Sequence, residues 1–327
     1  SYYIYNNGSL RRKDNTLTFT DENDDKRDLP IEQIHDIYVM SEMTFNTSLI
    51  NLLSQYGIPV HFFNYYSFYT GSFYPRERLV SGNLLVRQVE HYTDHEKRME
   101  LAKAFIEGAS YNIYRNLRYY NGRGKDVQSY MNEIEDLRKQ IPKAQSIQEL
   151  MGYEGNIRKT YYSAWPVIID QEIEFEKRVK NPPDNMVNTL ISFVNTLIYT
   201  KVLGEIYQTQ LNPTVSYLHE PGDRRFSLSL DLAEIFKPIL GDRLIFSLLN
   251  RKQITEKSFT KGLNYLHLSQ NASKTIVAEL DAKMQTTIKH KALNKTVSYQ
   301  YLIRLECYKL VKHLLGEKKY EPFKIWW

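Results

Sequence analysis

The stretch Phe73-Tyr74-Pro75-Arg76-Glu77-Arg78-Leu79-Val80-Ser81-Gly82-Asn83-Leu84 separates two parts of the chain that carry different hydrophobic patterns. Before it, short segments rich in β-forming residues alternate with turn residues, and after it apolar residues recur at three- and four-residue spacing. Pro75 and the charged residues behind it mark the point where the chain leaves a sheet. The sequence predicts an α+β fold: a small N-terminal β-sheet domain with one helix, residues 1–80, followed by a large all-α domain, residues 81–327.

The N-terminal part alternates short β-rich segments with polar turns, as a sheet requires. Candidate strands cover residues 2–5, 9–12, 16–20, 27–29, 34–40 and 60–63. In residues 16–20 apolar and polar side chains alternate, which predicts a half-buried strand. Residues 46–56 switch to helical spacing and stop at Gly57, a typical helix end. These patterns predict one small sheet with a helix packed against it.

The C-terminal part is predicted to be helical almost to its end. Helical spacing covers segments near 90–120, 126–139, 146–164, 186–208, 228–250, 272–291 and 297–315. Ser146 followed by Glu149 is a capping box, which predicts a helix start there and places Glu154 about two turns in. Pro182-Pro183-Asp184 is predicted to end the preceding segment and to cap the helix that carries Asn188.

The composition is that of an ordinary globular chain of 327 residues, with 42% hydrophobic and 25% charged residues and a net charge of +5. This mild basic balance permits nucleic-acid binding without requiring it, because a binding surface needs clustered charge. The one cysteine, Cys307, fits a cytoplasmic location, and its helical context predicts a small buried side chain. No secretion signal is recognised, and polar residues interrupt the longest apolar stretch, residues 190–203, so no membrane span is expected.

Glu154 is the first candidate metal ligand. It lies in a predicted helix between Gly152 and Gly155, and each glycine costs up to about 1 kcal/mol relative to alanine in a helix interior. Glycine at these positions would let another backbone or a ligand come close to Glu154. The alternative is an ordinary surface ion pair between Glu154 and Arg158, four residues later.

His219 is the second candidate. Pro213, Pro221 and Gly222 place it in a loop, off any regular helix face. Imidazole is the commonest transition-metal ligand in proteins. The alternative is a solvent-exposed histidine with no ligand role.

Asp231 and Glu234 form the third candidate region. They are three residues apart, so they share one face of a helix. Their neighbours are apolar, and two acids in such a segment repel each other unless a cation or hydrogen-bond donors lie between them. A helix N-cap at Ser227, with Asp231 near the first turn, would explain Asp231 but not Glu234. One histidine with two or three carboxylates suits Mg²⁺ or Mn²⁺ better than a closed zinc site.

Taken in order along the chain, these segments resemble the CRISPR adaptation integrases, the Cas-one family. The resemblance covers nearly the whole chain and is most specific at Tyr217-Leu218-His219 and at residues 227–238. Residues 31–37, 57–63, 177–190 and 320–324 are similar to other parts of the family. Two departures concern DNA contacts: a lysine often found shortly before Asn112 is missing, and Lys237 stands where arginine is common.

The resemblance implies a metal site and an activity. Glu154, His219 and Glu234 would hold Mg²⁺ or Mn²⁺, with Asp231 in a supporting role. The implied reaction is transesterification, in which the 3′-hydroxyl of a captured DNA fragment attacks a phosphodiester at the end of a CRISPR repeat. The substrate then supplies the nucleophile, so none is needed from the protein.

Two other functions remain open at the level of the sequence. One is a metal-dependent nuclease acting on branched DNA, because water can replace the 3′-hydroxyl at the same site. The other is a non-enzymatic DNA-binding scaffold whose acids are purely structural.

The implied partners are double-stranded DNA (protospacer and CRISPR repeat or leader), a second copy of the chain, and the Cas-two protein. The N-terminal domain would serve dimerisation or partner binding, and its aromatic run at residues 65–74 is predicted to be a subunit interface rather than a platform for DNA ends. The helical domain would bind metal and DNA. Its candidate phosphate contacts are Arg158, Lys159, Arg224, Arg225, Lys237 and Arg243, with a second patch at Lys289, His290 and Lys291; for each, a solvated surface charge is the alternative.

Overall fold

The computed structural model describes residues 1–64, 67–75, 79–179, 183–222, 226–261, 266–290 and 293–326, with the side chain of residue 261 left out. The chain divides into two compact units, Ser1–Val80 and Ser81–Trp327. The first unit is rich in strands and the second is largely helical. The fold is therefore α+β, as the sequence predicts.

The N-terminal unit contains two four-stranded sheets where one was predicted. One sheet has the order β1-β5-β7-β8 and the other β4-β3-β2-β6. The strands are β1 (Tyr2–Ile4), β2 (Gly8–Lys13), β3 (Thr16–Asp21), β4 (Lys26–Pro30), β5 (Ile37–Val39), β6 (Met43–Thr44), β7 (Val60–Phe63) and β8 (Tyr69–Phe73). Strands β6 and β8 were not predicted, because β6 has only two residues and β8 contains a glycine and lacks apolar alternation.

Helix α1 (Thr47–Tyr56) supplies the core of this unit. The side chain of Asn46 caps it by accepting a hydrogen bond from the Leu49 N–H at 2.9 Å. It ends at Gly57, whose φ of 67° is the left-handed conformation that favours glycine at a helix end. Its buried side chains, Leu49 and Leu53 among them, join buried residues of β2, β3, β5 and β7 in one apolar cluster. The predicted helix and its glycine stop are confirmed.

The helices of the second unit follow the predicted segments closely. They are α2 (Gly82–Thr93), α3 (His95–Asn121), α4 (Gln128–Arg138), α5 (Ile147–Ser163), α6 (Trp165–Ile168), α7 (Met186–Tyr207), α8 (Ser227–Phe236), α9 (Arg243–Asn250), α10 (Gln270–Gln285) and α11 (Tyr299–Leu314). The segment predicted near 90–120 is two helices, because the backbone of Asp94 is extended and ends α2, while the Asp94 side chain caps the start of α3.

The prediction of an all-α second domain needs a correction. Two short antiparallel pairs occur within it: β9 (Phe259–Lys261) with β10 (Leu266–Leu268), and β11 (Thr287–His290) with β12 (Lys295–Ser298). The helix predicted over 272–291 stops at Gln285. The β-branched run Thr286-Thr287-Ile288 follows at once, and such side chains favour a strand over a helix.

Helix α7 is the buried centre of the helical unit. Asn185 caps it, one residue after the predicted capping segment, by accepting from the Asn188 N–H at 2.9 Å. Among the described residues it is long and apolar enough, by length and composition, to cross a membrane, despite the polar residues that interrupt its sequence. The unit itself buries 78% of its most apolar 18-residue window, as it would for a core helix.

The segment predicted as one helix over 228–250 is interrupted in its middle. Between α8 and α9, residues Lys237–Asp242 adopt a π-helical conformation. Pro238 has no N–H to continue the α-helical ladder, which explains the change of hydrogen bonding. Two asparagines of α3 brace the irregular backbone: Asn112 donates to the carbonyl of Ile235 at 3.0 Å, and Asn116 donates to that of Pro238 at 2.6 Å.

Candidate metal centre

Helix α5 presents Glu154 on a partly open surface. The helix begins as predicted: Ser146 accepts from the Glu149 N–H at 3.1 Å, and the Glu149 carboxylate accepts from the Gln145 N–H at 2.8 Å. A Cβ added at Gly152 or Gly155 would meet no atom within 4 Å. No described protein group therefore requires these glycines, and the space beside Glu154 is open to an external ligand.

Helix α8 brings Asp231 against the loop that carries His219. The Asp231 side chain is fully buried. One carboxylate oxygen accepts from the backbone N–H groups of Tyr217 and Leu218, at 2.7 and 3.0 Å, and the other accepts from that of His219 at 3.0 Å. The second oxygen also lies 2.8 Å from Nδ1 of His219. Asp231 thus shapes the loop and orients the imidazole.

The helix-cap explanation of Asp231 does not hold. The cap position of α8 is Phe226, and Ser227 is the first helical residue. The Ser227 hydroxyl donates instead to the carbonyl of Thr214 at 2.9 Å. Its role is to tie the start of α8 to the loop before His219.

Distant residues that the sequence did not single out also hold this loop. Gln88 of α2 makes two hydrogen bonds with the backbone of Asn212, at 2.8 and 3.1 Å. Arg98 of α3 donates to the carbonyl of Tyr217 at 2.9 Å and to the carboxylate of Glu220 at 2.6 Å. These partners are more than 100 residues apart in the chain, so no local sequence pattern could have revealed them.

Arg158 joins the two glutamates that were predicted as metal ligands. Its Nε donates to Glu154 at 3.1 Å, and its Nη2 donates to Glu234. Lys237 donates to the other oxygen of Glu234 at 2.5 Å. The predicted alternative, an ordinary Glu154–Arg158 surface pair, is incomplete, because the Arg158 side chain is only 11% exposed and contacts Glu234 as well.

The charges around Glu234 keep it ionised although it is buried. Burial by itself would raise the pKa of Glu234, but the positive charges of Arg158 and Lys237 outweigh burial and hold that pKa well below its usual value. Burial likewise opposes the charge of Arg158, yet Glu234 and Glu154 raise the pKa of Arg158 well above its usual value. In this cluster the ionised carboxylate of Glu234 is therefore paired with the positive charges of Arg158 and Lys237.

Within the described ranges, no three His, Cys, Asp or Glu side chains lie together closely enough to hold a metal ion. The Arg158 guanidinium supplies the positive charge between Glu154 and Glu234, in the place that a metal ion would take. His219 lies close enough to lower the pKa of Glu234 whenever its ring is protonated, and none of the described residues engages its Nε2 in a hydrogen bond. Two carboxylates that converge on one cation, with an oriented imidazole nearby, fit the donor preferences of Mg²⁺ or Mn²⁺ once Arg158 gives way.

The predicted phosphate contacts fall into different environments. Arg158 and Lys237 are largely buried against the acids. The Arg243 guanidinium lies over the ring of Tyr119, 4.4 Å from its centroid, and Lys289 is exposed on β11. Lys159 is exposed on α5 and His290 is partly exposed. Arg224, Arg225 and Lys291 lie outside the described residues, as do Tyr65 and Tyr66 of the aromatic run, and DNA binding by all of these residues stays a prediction.

Taken together, the chain has a strand-rich N-terminal unit and a helical unit with an acid–histidine cluster braced by a π-helical turn. Comparison of the sequence with known proteins identifies the family to which a chain of this class belongs. The profile of the family described as CRISPR associated protein Cas1 matches residues 2–282. The CRISPR-associated endonuclease Cas1 of Fusobacterium nucleatum subsp. nucleatum is 68% identical over 327 residues, which cover 100% of this chain and 97% of that protein. This chain belongs to the Cas1 family, and the resemblance found in the sequence is confirmed.

Solved structures agree with this assignment. A CAS1 protein from Thermotoga maritima superimposes with a TM-score of 0.87 at 39% identity, covering 98% of this chain and 99% of that one. A casposase bound to its integration product superimposes with a TM-score of 0.88, covering 99% of this chain and 93% of that one. Because its identity is 21%, the casposase shows a common fold alone.

Proposed function

We propose that this protein is a metal-dependent DNA integrase that inserts captured foreign DNA fragments as new spacers into a CRISPR array. The observation that carries the proposal is the convergence of Glu154 and Glu234, from α5 and α8, on one cationic group. Asp231, on the same helix as Glu234, orients His219 towards the same region through its Nδ1. A histidine that ligates a metal commonly donates its other ring N–H to a carboxylate, as His219 can to Asp231.

Glu154, His219 and Glu234 would hold Mg²⁺ or Mn²⁺, which when bound polarises a phosphoryl oxygen and stabilises the leaving oxyanion. Asp231 can only accept hydrogen bonds when ionised, so it holds the proton of a neutral His219 on Nδ1. Nε2 then keeps its lone pair for a ligand. Asp231 thus acts on the imidazole rather than on the DNA.

The attacking group in this proposal is the 3′-hydroxyl of the captured fragment. The protein's own thiol does not compete for this role: Cys307 is fully buried, and burial raises its pKa well above the usual value. Positive charge beside the acids comes from Arg158 and Lys237, and it would offset the phosphate charge that must come close to them.

The proposed partners follow from the family. They are double-stranded DNA (protospacer and repeat or leader), a second copy of this chain, and a Cas2 protein, with the strand-rich unit serving dimerisation or partner contacts. We place the protein in the cytoplasm, where its DNA substrates are found.

Two alternative functions have an observation in their favour. The Fusobacterium relative bears the name endonuclease, which favours a nuclease for branched DNA. The Arg158 bridge satisfies both glutamates without a metal, which favours a DNA-binding scaffold with structural acids.

A strand-transfer assay separates the three functions. The protein, with its Cas2 partner and Mn²⁺, is mixed with a short duplex carrying free 3′ ends and a repeat-bearing plasmid. We expect joined products that a chelator abolishes and fresh Mn²⁺ restores. Cut fragments without joined products would indicate the nuclease.

Variants assign the site in the same assay. Glu154→Ala and His219→Ala should both lose joining while their thermal melts stay cooperative. Glu135→Ala and His95→Ala, exposed residues on α4 and α3, serve as matched controls and should join normally. Unchanged integration by His219→Ala would refute the assigned site, and DNA binding without any joining by the unaltered protein would favour the scaffold.

A further inference from the structure

Asp242, the last residue of the π-helical segment, is a buried carboxylate that the proposed reaction does not use. It is fully buried, and no described residue donates a hydrogen bond of good geometry to either of its oxygens, although the Tyr161 hydroxyl lies close enough to favour the ionised carboxylate. Buried carboxylates nearly always have such partners, because leaving one without them costs much free energy. Its environment therefore needs an explanation.

The cation nearest to Asp242 is Arg158. Nη1 of Arg158 lies 4.0 Å from Oδ2 of Asp242, which is too far for a hydrogen bond. The other two nitrogens of this guanidinium have different hydrogen-bond partners: Nε donates to Glu154 and Nη2 donates to Glu234. Arg158 thus lies among three acids, of which two are proposed metal ligands and the third is not.

A divalent cation at the proposed site would compete with Arg158 for the oxygens of Glu154 and Glu234. The guanidinium is buried, and removing its partners without replacing them costs several kcal/mol. It therefore needs another acceptor inside the protein. Asp242 offers two oxygens, and Nη1 of Arg158 already lies 4.0 Å from one of them.

We infer that Asp242 is a positioning residue that receives the Arg158 guanidinium when a divalent cation occupies the two glutamates. This inference rests on the proposed function, because it assumes that Glu154 and Glu234 bind metal. By accepting Arg158, Asp242 lowers the cost of metal entry and keeps a positive charge beside the reacting phosphate.

The protonation of Asp242 agrees with this role. Burial raises the pKa of Asp242 to about 7, against the opposing charges of Arg158 and Lys237. A guanidinium brought into hydrogen-bond contact would favour the ionised carboxylate.

If Asp242 were only a structural residue, its removal would change the stability of the protein and leave metal affinity unaltered.

Mn²⁺ binding measures the role of Asp242 without any DNA reaction. The probe is Mn²⁺ alone, followed by the electron paramagnetic resonance signal of the free ion during titration of the full-length protein. Asp242→Asn should weaken Mn²⁺ binding about tenfold, the middle of the usual range for coupling between sites. Asp136→Asn, an exposed acid paired with Lys139, removes the same charge and should bind as the unaltered protein does.

A double-mutant cycle then tests the link to Arg158. In an Arg158→Gln background there is no guanidinium to receive, so adding Asp242→Asn should no longer change the affinity. If the tenfold loss persists in that background, Asp242 acts on the metal by another route and the inference is wrong.

The outcomes separate this inference from the function on which it rests. Absence of Mn²⁺ binding by the unaltered protein would refute the metal site and the inference together. Equal binding by the unaltered protein and by a folded Asp242→Asn variant would overturn the inference alone. If the variant does not fold, a crystal structure of the unaltered protein with Mn²⁺ decides: we expect Arg158 hydrogen-bonded to Asp242, and Arg158 still on Glu234 or turned to solvent contradicts us.

Discussion

Nδ1 of His219 lies 2.8 Å from Oδ1 of Asp231, and the same carboxylate accepts three backbone N–H groups of the loop that carries the histidine. Asp231 and Glu234 are one helical turn apart, yet their carboxylates interact with different groups. Asp231 faces the loop and orients a side chain, whereas Glu234 faces two cations. This division explains how two acids are tolerated in an apolar helix: each has its own donors.

Replacing Asp231 should cost stability as well as activity. Asp231→Asn keeps one acceptor oxygen and turns an amide N–H₂ towards backbone donors, so we expect the free energy of unfolding to fall by about 3 kcal/mol. His219→Ala removes a side chain that is 18% exposed, and it should change stability by less than about 1 kcal/mol. Urea denaturation of both variants measures the difference. Equal stabilities would show that the loop does not depend on the carboxylate.

Replacing Glu234 should produce a pH-dependent loss of stability. The folded-state pKa of Glu234 is lowered, so its contribution to stability is present above its unfolded pKa of about 4.5 and disappears as the pH falls below that value. At pH 7, Glu234→Gln should be less stable by about 3 kcal/mol, because Arg158 and Lys237 lose their buried partner. The gap should narrow towards pH 3.5. Unfolding curves at pH 7, 5 and 3.5 test this, with exposed Glu135→Gln as the control; a constant gap would contradict the charge pairing.

Replacing Asp242 should make the protein more stable relative to the unaltered protein as the pH rises, whereas Glu234→Gln becomes relatively less stable. Its folded-state pKa of about 7 lies above the ordinary value of 3.8, so the native state holds the extra proton and loses stability as the pH rises between these values. Asp242→Asn cannot ionise. Its stability relative to the unaltered protein should therefore rise by about 2–4 kcal/mol between pH 4 and pH 8, at about 1.4 kcal/mol for each unit of pKa shift. A relative stability that stays flat over this range would argue against a raised pKa.

Two glycines should respond to alanine in opposite directions. At Gly108, on α3, an added Cβ would lie 2.6 Å from Cβ of Pro322, so Gly108→Ala should destabilise the protein by about 1–3 kcal/mol. Gly155 has open space around it, so Gly155→Ala should stabilise α5 by up to about 1 kcal/mol. Thermal melts measure both effects.

The same Gly155→Ala variant tests the idea that a ligand approaches Glu154 at this surface. In the strand-transfer assay it should join DNA less efficiently than the unaltered protein despite its higher stability. Full joining activity would mean that the glycine does not serve substrate access.

Local patterns predicted much of the fold, and the reason is physical. Helix α1 with its Gly57 stop, helix α5 with its Ser146 cap, and the change from strands to helices depend on neighbours within a few residues. The exceptions lie where local patterns conflict or are weak. After Gln285 a run of β-branched residues ends a helix that was predicted to continue. Pro238 removes one N–H from a segment whose apolar spacing predicts a continuous helix.

The sequence by itself determined the family, the two-part architecture and which side chains are candidates for the metal centre, because these depend on short-range spacing and on residue type. Only the tertiary structure decided how those side chains are used. Arg158, which also contacts Glu154, donates to a glutamate 76 residues further along the chain, Asp231 accepts from a loop twelve residues before it, and Oδ2 of Asp242 lies 4.0 Å from the same guanidinium. Burial removes water from all of these charges, so their partners are set by packing between distant helices, and no stretch of sequence encodes that packing locally.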